Sequence, residues 1–254
     1  MLLAARHISF SYRTDAPVLR DVSISVAEKQ IVVLIGPNGS GKSTLLRVLM
    51  GHVRAEGEVT WEGRAVAKWR PRELARAVAY LPQAPVYDPG MTVAETLRAG
   101  RTPYLGALGI ESAEDVAVVQ RVAGELGLLD LMRRPLDELS GGQRQLVFLG
   151  RALAQEPRAL LLDEPGTFLD LRHQVDMWRR LRELAGRGIA VIAASHDLQL
   201  SAGAADEMVL LDQGSIAARG SPEEVLKPEL LTKVYGVAME RVERAGGPPL
   251  LVPV

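Results

Sequence analysis

Short, wholly apolar runs recur along the chain and are separated by longer segments of helical period. Residues 31–35, 159–162 and 189–194 are such runs, and each has the length of a strand. A strand that is apolar on both faces is typical of a parallel sheet covered by helices on each side. The pattern therefore predicts an α/β fold with a mostly parallel sheet. The predicted strands are residues 8–12, 22–26, 31–35, 56–61, 77–81, 159–162, 189–194 and 208–211.

Side chains that can cap a helix mark several predicted helix starts. Thr92 with Glu95 forms a capping-box pair in residues 91–139, a stretch with few strand formers, and Ser112 with Asp115 forms a weaker pair. Other helices are predicted from Lys42 to about Gly51, from Ser140 to about Ala154, over residues 173–185, and after Ser221 in a tail that opens with a short strand. A loose end is expected at residues 246–249.

These elements divide the chain into parts. A domain of residues 1–237 is expected, with its core in residues 1–84 and 140–214 and an inserted helical subdomain at about residues 85–139. Residues 215–254 form a C-terminal extension. Its role is left open among packing on the sheet domain, contact with a partner, and regulation.

Composition excludes several classes of protein. The chain has 254 residues, of which 47% are hydrophobic. It is therefore long and apolar enough to bury a large core, and disorder of most of the chain is excluded. Its net charge of −1 supplies no drive toward nucleic acid, and none is expected as a partner. There is no cysteine, which excludes disulfides and cysteine-ligated metals. No apolar run approaches a membrane span or a signal peptide, so we expect a soluble chain that another protein holds at any membrane.

A glycine-rich segment lies between the apolar run 31–35 and the helix that follows it. It fits the pattern G-x-x-x-x-G-K-[ST] at every fixed position. Glycines let successive backbone N–H groups point at phosphate oxygens, and a helix N-terminus adds a favourable dipole. A lysine brings a charge to the β- and γ-phosphates, and a serine hydroxyl can bind Mg²⁺. We therefore predict a nucleotide-binding loop formed by Gly36, Pro37, Asn38, Gly39, Ser40, Gly41, Lys42, Ser43 and Thr44.

Two acidic residues end the apolar run 159–162. Beside a phosphate loop, Asp163 would hold Mg²⁺ directly or through its water, and Glu164 would act as general base toward the attacking water. His196 follows the run 189–194 and could contact the γ-phosphate. A lone histidine after a strand is more often a simple loop residue.

A second glycine motif precedes the helix that starts at Ser140. Leu139, Ser140, Gly141, Gly142 and Gln143 place two glycines and a hydroxyl at a helix start, which makes a second anion site. With both glycine motifs, the chain resembles the ATP-binding cassette (ABC) ATPases from Ile8 to about Val237. The resemblance implies a RecA-like core of the P-loop NTPase kind, an N-terminal antiparallel β subdomain and an inserted helical subdomain.

The resemblance also assigns roles to individual residues. It places Tyr12 against adenine, makes Gln83 a sensor of Mg²⁺ and water, and makes Lys42, Glu164 and His196 catalytic. Asp170 matches a loop that crosses to a partner subunit, and Asp163 matches the metal ligand. The chain departs from the family at Gly166, where Thr or Ser is common. We expect this glycine to loosen the backbone beside the base without abolishing catalysis.

The family implies an assembly. ATP and Mg²⁺ would lie between two copies of the chain, because the Leu139–Gln143 motif of one copy closes over the phosphate loop of the other. The homodimer would sit under integral membrane permease subunits, as a peripheral protein on the cytoplasmic face of the inner membrane. A short permease helix would fit a groove lined by the Gln83 loop and residues 85–105. A substrate-binding protein would deliver the cargo.

Three stretches most resemble importers of iron–siderophore complexes, haem and cobalamin. They are residues 92–97 with 100–104, residues 167–174 and residues 220–226, of which Gly100-Arg101-Thr102-Pro103-Tyr104 is the most specific. That motif lies where a permease would dock, so it indicates the type of partner and not the cargo. A plainer interpretation is that Pro103 and Tyr104 shape a helix break. Other transporter cargoes, an exporter, and a cassette protein acting on ribosomes or DNA remain alternatives, although the chain has one cassette and no basic excess.

Overall fold

The structure is a computed structural model, and it describes residues 1–13, 16–106, 108–242 and 250–254. The strands within these ranges are β1 (Leu3–Arg13), β2 (Ala16–Val26), β3 (Ile31–Ile35), β4 (Glu56–Trp61), β5 (Arg64–Ala65), β6 (Val78–Leu81), β7 (Ala159–Asp163), β8 (Ala190–Ala194), β9 (Glu207–Asp212), β10 (Ser215–Gly220), β11 (Met239–Val242) and β12 (Leu250–Pro253). The α-helices are α1 (Lys42–Leu49), α2 (Pro71–Ala77), α3 (Val93–Ala99), α4 (Ala113–Leu126), α5 (Gly141–Leu153), α6 (Leu171–Gly186), α7 (Leu198–Ala204), α8 (Pro222–Val225) and α9 (Pro228–Tyr235).

The main sheet has the strand order β10-β9-β3-β8-β7-β6 among the described residues. Five of its strands are parallel, and β10 pairs antiparallel with β9 at one edge. Every residue of β3, β7 and β8 is buried, as their unbroken apolar runs predicted. Because parallel strands end at the same edge of a sheet, the loops after β3, β6, β7 and β8 meet there.

Alternate residues of β3 serve two separate cores. Val32 and Leu34 face α1 and the smaller sheet, whose order is β2-β1-β4-β5. Ile31 and Val33 face the opposite side, where α4, α5 and α6 pack. The sheet is therefore covered on both faces, which confirms the predicted α/β class with an antiparallel subdomain on one side and helices on the other.

Both predicted capping boxes of the helical region are formed. The Thr92 hydroxyl accepts from the backbone N–H of Glu95, whose carboxylate accepts from the Thr92 N–H at 2.7 Å. Ser112 and Asp115 make the same reciprocal pair, with a Ser112 N–H to carboxylate distance of 2.9 Å. These contacts satisfy N–H groups that a helix start leaves free.

The structure differs from the predicted elements in two strands, two short helices and the C-terminal tail. Strands β1 and β2 extend well beyond the predicted 8–12 and 22–26, and their pairing contains several register shifts that interrupt a regular alternation of buried and exposed residues. Helices α2 and α7 have seven residues each and were not predicted. The tail contains a second helix, α9, and a hairpin of β11 with β12. The loose end expected at residues 246–249 lies outside the described residues.

The C-terminal extension packs on the core of the sheet domain. Val225, Leu226 and Leu231 are fully buried in the same cluster as Ile31 and Val33 of β3. The Gln199 side chain of α7 also donates to the Leu251 carbonyl of β12 at 3.5 Å. Of the three roles that the sequence left open for the extension, the structure shows packing on the sheet domain.

Candidate nucleotide site

The segment between β3 and α1 wraps tightly at the carboxyl edge of the sheet. Gly36, Gly39 and Gly41 adopt φ values of 141°, 80° and 105°, which side chains disfavour. A Cβ on Gly36 would lie 2.1 Å from the Leu211 carbonyl oxygen, so this position also requires the absence of a side chain. The predicted loop therefore has the backbone that its glycines indicated.

Lys42 lies folded back over this loop. Its ammonium donates to the carbonyl oxygens of Gly36 at 2.7 Å and Pro37 at 3.0 Å. Burial lowers the pKa of Lys42, and the carboxylates of Glu164 and Asp163 act in the opposite direction. The Lys42 ammonium thus lies within the loop and interacts electrostatically with the carboxylates of Asp163 and Glu164.

Asp163, at the end of β7, is brought against the phosphate loop as predicted. Its carboxylate accepts from the Ser43 hydroxyl at 3.0 Å and from the Tyr80 hydroxyl at 3.3 Å. Burial raises the pKa of Asp163, while the Ser43 bond lowers it. Burial likewise raises the pKa of Tyr80 to about 12, with a further contribution from Asp163.

Glu164 is held by residues from three loops. Its carboxylate accepts from the Gln83 amide at 2.7 Å and from the Thr167 hydroxyl at 2.9 Å. His196 Nδ1 lies 3.4 Å from the same carboxylate oxygen. The predicted residues Gln83, Glu164 and His196 therefore meet at one point.

The backbone of this loop is unusual at Glu164 and Phe168. Both adopt positive φ, at 52° and 67°, although neither is glycine. Such conformations cost about 1–3 kcal/mol each and are concentrated at functional sites. The surrounding structure holds them, since Gln145 of α5 donates to the Pro165 carbonyl at 3.2 Å and Gln174 of α6 donates to the Leu169 carbonyl at 3.0 Å.

The second glycine motif is placed away from the first. The Ser140 hydroxyl accepts from the Gln143 N–H and caps α5, while Asp170 caps α6 beside it. Within the described part of the chain, no hydrogen bond joins residues 139–143 to residues 36–44. Within the described residues of one copy of the chain, the two glycine motifs are thus not joined by a hydrogen bond.

Tyr12 lines an open cavity of about 710 Å³ that is formed by β1, β2 and residues 54–56, and its side chain is largely exposed. Its ring meets Phe10 edge-on, with centroids 4.7 Å apart. A hydrogen bond with Tyr12 is the main cause that raises the pKa of Arg47. An exposed ring in a cavity of this size is available for stacking on a base.

Sequence reasoning missed several residues that shape the site. No role was assigned from the sequence to five residues that make the contacts described above: Tyr80, Thr167, Gln145, Gln174 and Arg47. Thr167 and Gln174 lie within the importer-like stretch 167–174, which closely follows Glu164, so their place in the sequence was a usable signal. Gln145 and Arg47 lie on helices, where nothing local distinguishes an inward-pointing polar residue.

The donor set beside the phosphate loop fits Mg²⁺. Ser43 and Asp163 supply one hydroxyl and one carboxylate already in contact. Mg²⁺ is typically held by one or two carboxylates together with substrate phosphates, and not by an all-protein cage. The described residues contain no group of three or more His, Cys, Asp or Glu that could hold a metal.

A phosphate loop after a buried strand, with a carboxylate pair at the end of a parallel strand in the same sheet, defines a P-loop nucleotide-binding protein. The chain belongs to the ABC transporter family, whose profile matches residues 19–167. It is an ABC ATPase, which binds ATP and couples ATP hydrolysis to transport. No helix among the described residues is long and apolar enough to cross a membrane.

Similar proteins cover nearly the whole chain. The hemin import ATP-binding protein HmuV of Thermobifida fusca is 40% identical over 256 residues, covering 100% of this chain and 89% of its own. The iron(3+)-hydroxamate import ATP-binding protein FhuC of Bacillus subtilis is 36% identical, covering 90% and 86%. A structure of an inward-facing metal-chelate type ABC transporter has a TM-score of 0.87 at 25% identity, covering 100% and 97%. The ADP conformation of the cassette MJ1267 has a TM-score of 0.83 at 31% identity, covering 92% and 97%.

Proposed function

We propose that this chain is the ATP-hydrolysing subunit of an importer for an iron chelate, with haem or a siderophore complex as cargo. The observation that carries the proposal is its near full-length similarity to ATP-binding proteins of hemin and hydroxamate import. Cobalamin belongs to the proposal through motif resemblance alone. The cargo would not touch this chain, so the partner permease and its binding protein would select it.

Hydrolysis would use the residues gathered at the carboxyl edge of the sheet. Backbone N–H groups of residues 36–44 would hold the phosphates, and Lys42 would exchange its two carbonyl partners for phosphate oxygens. Glu164 would accept the proton of the attacking water while Gln83 and Thr167 keep its carboxylate in place. His196 would approach the γ-phosphate from beside Glu164.

Ser43 and Asp163, with Gln83 nearby, would hold Mg²⁺. When bound, Mg²⁺ would offset the negative charge that develops on the phosphate oxygens. The protein's own task at this point is to keep Asp163 ionised despite its burial, and the Ser43 hydrogen bond favours that state.

A second copy of the chain would complete each site. Ser140, Gly141, Gly142 and Gln143 stand apart from the phosphate loop of their own copy, and their helix start suits an anion. We propose that they close over ATP bound to the partner copy, with Asp170 crossing the same interface. Two ATP molecules would then be enclosed, and hydrolysis would reopen the dimer.

The permease would dock near the Gln83 loop. A groove of about 280 Å³ is lined there by Gln83, Pro85 and Tyr87, and its other wall comes from α5 and residues 167–169. This second wall was not part of the predicted lining. It would place a permease helix against the loop that carries Glu164, on the cytoplasmic face of the membrane, with the chain attached peripherally.

The general base is tested by Glu164→Gln. We expect ATP binding to persist and turnover to fall by about 10²–10⁴-fold, the range of a lost acid–base group. A stable ATP-dependent dimer should then be visible by size-exclusion chromatography. Lys42→Ala is the matched control, since it should lose ATP affinity and form no such dimer. Turnover at the parent rate in Glu164→Gln would show that another group is the base.

The cargo class is tested by purifying the tagged chain from its own membranes in mild detergent. A many-spanning permease should copurify, and haem or a ferric siderophore should stimulate ATP hydrolysis once the binding protein is added. An exporter-type partner without a binding protein would refute import. A ribosomal or DNA-bound partner would refute transport while leaving the ATP chemistry intact.

A further inference from the structure

His173, in the first turn of α6, touches two motifs at once. Its Nδ1 lies 2.7 Å from the Asp170 carboxylate. On its other side, the imidazole packs against Gly142 of α5. A Cβ placed on Gly142 would lie 2.5 Å from His173 Cδ2 and 2.8 Å from its Cγ and Nε2. The ring therefore fills the space into which any side chain at position 142 would project.

The imidazole is not needed to start the helix. Asp170 already caps α6 through the backbone N–H of His173, which it accepts at 2.9 Å. This cap would persist with any residue at position 173 except proline, which lacks the N–H. The second bond, from the ring to the same carboxylate oxygen, fixes the direction of Asp170 relative to α5 and leaves the cap itself unchanged.

The contact of His173 with Gly142 and Asp170 lies at the N-terminal ends of α5 and α6, two helices that are also linked deeper in the molecule. Deeper in the molecule, Gln145 of α5 and Gln174 of α6 both bond to the loop that follows Glu164. Near the surface, the His173 side chain lies between the first turn of α5 and Asp170. About two fifths of its side chain is exposed, so the contact lies at the surface and is open to a second copy of the chain.

We propose that His173 is a positioning residue that holds the Leu139–Gln143 motif and Asp170 of one copy in a fixed relation, so that both reach the partner's nucleotide together. This rests on the proposed function, because it requires ATP enclosed between two copies. His173 would not contact ATP bound to its own copy. Its loss should therefore spare nucleotide binding and impair closure of the dimer.

The test compares His173→Ala with Arg179→Ala, a matched change on the same helix that removes a surface ion pair with Asp176. Each is made in the parent and in Glu164→Gln. Three quantities are measured: the ATP dissociation constant at protein concentrations too low for dimers, the ATP-dependent dimer fraction, and kcat. For His173→Ala we expect unchanged monomer affinity, a reduced dimer fraction and kcat lower by about ten- to hundredfold, as for a misplaced catalytic geometry.

His173→Asn supplies a graded control. Its amide can reach Asp170 from near the position of Nδ1 but leaves the face of Gly142 uncovered, so it should recover part of the loss. The proposal is overturned if His173→Ala behaves as Arg179→Ala does. It is also overturned if monomer affinity falls in step with kcat, because the role would then be general support of the fold. Absence of an ATP-dependent dimer in Glu164→Gln itself would refute the proposed function.

Discussion

Two glycines near the nucleotide site differ in whether the backbone conformation and the surrounding atoms would permit a side chain. Gly36 has a left-handed φ of 141°, and the Leu211 carbonyl oxygen lies 2.1 Å from where its Cβ would be. Gly166, where the chain departs from its family, does not have a φ in the left-handed region, and a Cβ there would meet Gln174 Cγ at an ordinary 3.5 Å. The first glycine is required by the fold, whereas the second leaves room for a side chain.

Gly166→Ala should therefore stabilise the protein. Replacing a glycine whose conformation suits alanine restricts the unfolded chain, which is worth about 0.4–1 kcal/mol in the free energy of unfolding. Urea titration of both proteins measures the change. Gly36→Ala is the contrasting variant, for which we expect marked destabilisation and loss of ATP binding. A loss of stability in Gly166→Ala would mean that the loop after Glu164 has less room than its contacts indicate.

Between helices, the arginine of the Gly100–Tyr104 motif organises a buried network. Arg101 is 2% exposed and bonds to Asp115 and Glu156, both at 2.8 Å, and to the Ala154 carbonyl. Its guanidinium also lies 3.7 Å from the centroid of the Tyr104 ring. The motif that resembles permease-docking sequences thus joins α3, α4 and the end of α5, and its arginine faces the chain's own residues.

Arg101→Ala should destabilise the helical region strongly. Removing one partner of a buried ion pair leaves the others uncompensated and costs about 3–5 kcal/mol. Chemical denaturation monitored by circular dichroism measures this loss. Arg98→Ala is the comparison, because Arg98 pairs with Glu111 at the surface at 3.5 Å and should cost at most about 1 kcal/mol. Equal effects would show that burial does not strengthen the Arg101 network.

Asp115 gives this network a pH dependence. Hydrogen bonds from Ser112 chiefly, and then from Arg101, lower the pKa of Asp115 from 3.8 to about 2. A carboxyl group whose pKa is lower in the folded than in the unfolded protein stabilises the fold. This stabilisation is complete at pH values above the unfolded-state pKa and is lost as the pH falls to the folded-state pKa. Asp115→Asn should therefore be less stable than the parent at pH 6, and the gap should narrow between about pH 4 and 2. Unfolding curves across this range check the trend, and a constant gap would contradict it.

At the scale of the molecule, the extension and the sheet domain share one core. Leu231 of α9 is fully buried in the cluster that contains the inner residues of β3. Leu231→Ala should cost about 2–5 kcal/mol. Calorimetry should show one transition in both proteins, shifted to lower temperature in the variant. An independent early transition, with the main one unmoved, would instead make the extension a separate unit.

The sequence predicted the site best where chemistry and local pattern coincide. Gly36, Lys42, Asp163 and Glu164 sit on motifs with fixed spacing, and the strands before them are wholly apolar. Contacts such as Gln145 with Pro165 join residues that are distant along the chain, and they leave no periodic mark. Helices α2 and α7 were missed for a similar reason, since seven residues hold too few turns to display an amphipathic period.

The position of β3 in the middle of the main sheet has a consequence for synthesis in the cell. Ile31 pairs with Val191 and Val32 with Glu207, so both neighbours of this strand come late in the chain. At about 5–20 residues per second, a ribosome needs roughly 8–35 seconds to reach them. During that time an apolar strand with two open edges is exposed, which is a condition for aggregation. Nascent chains of this protein should therefore depend on chaperones until the second half emerges.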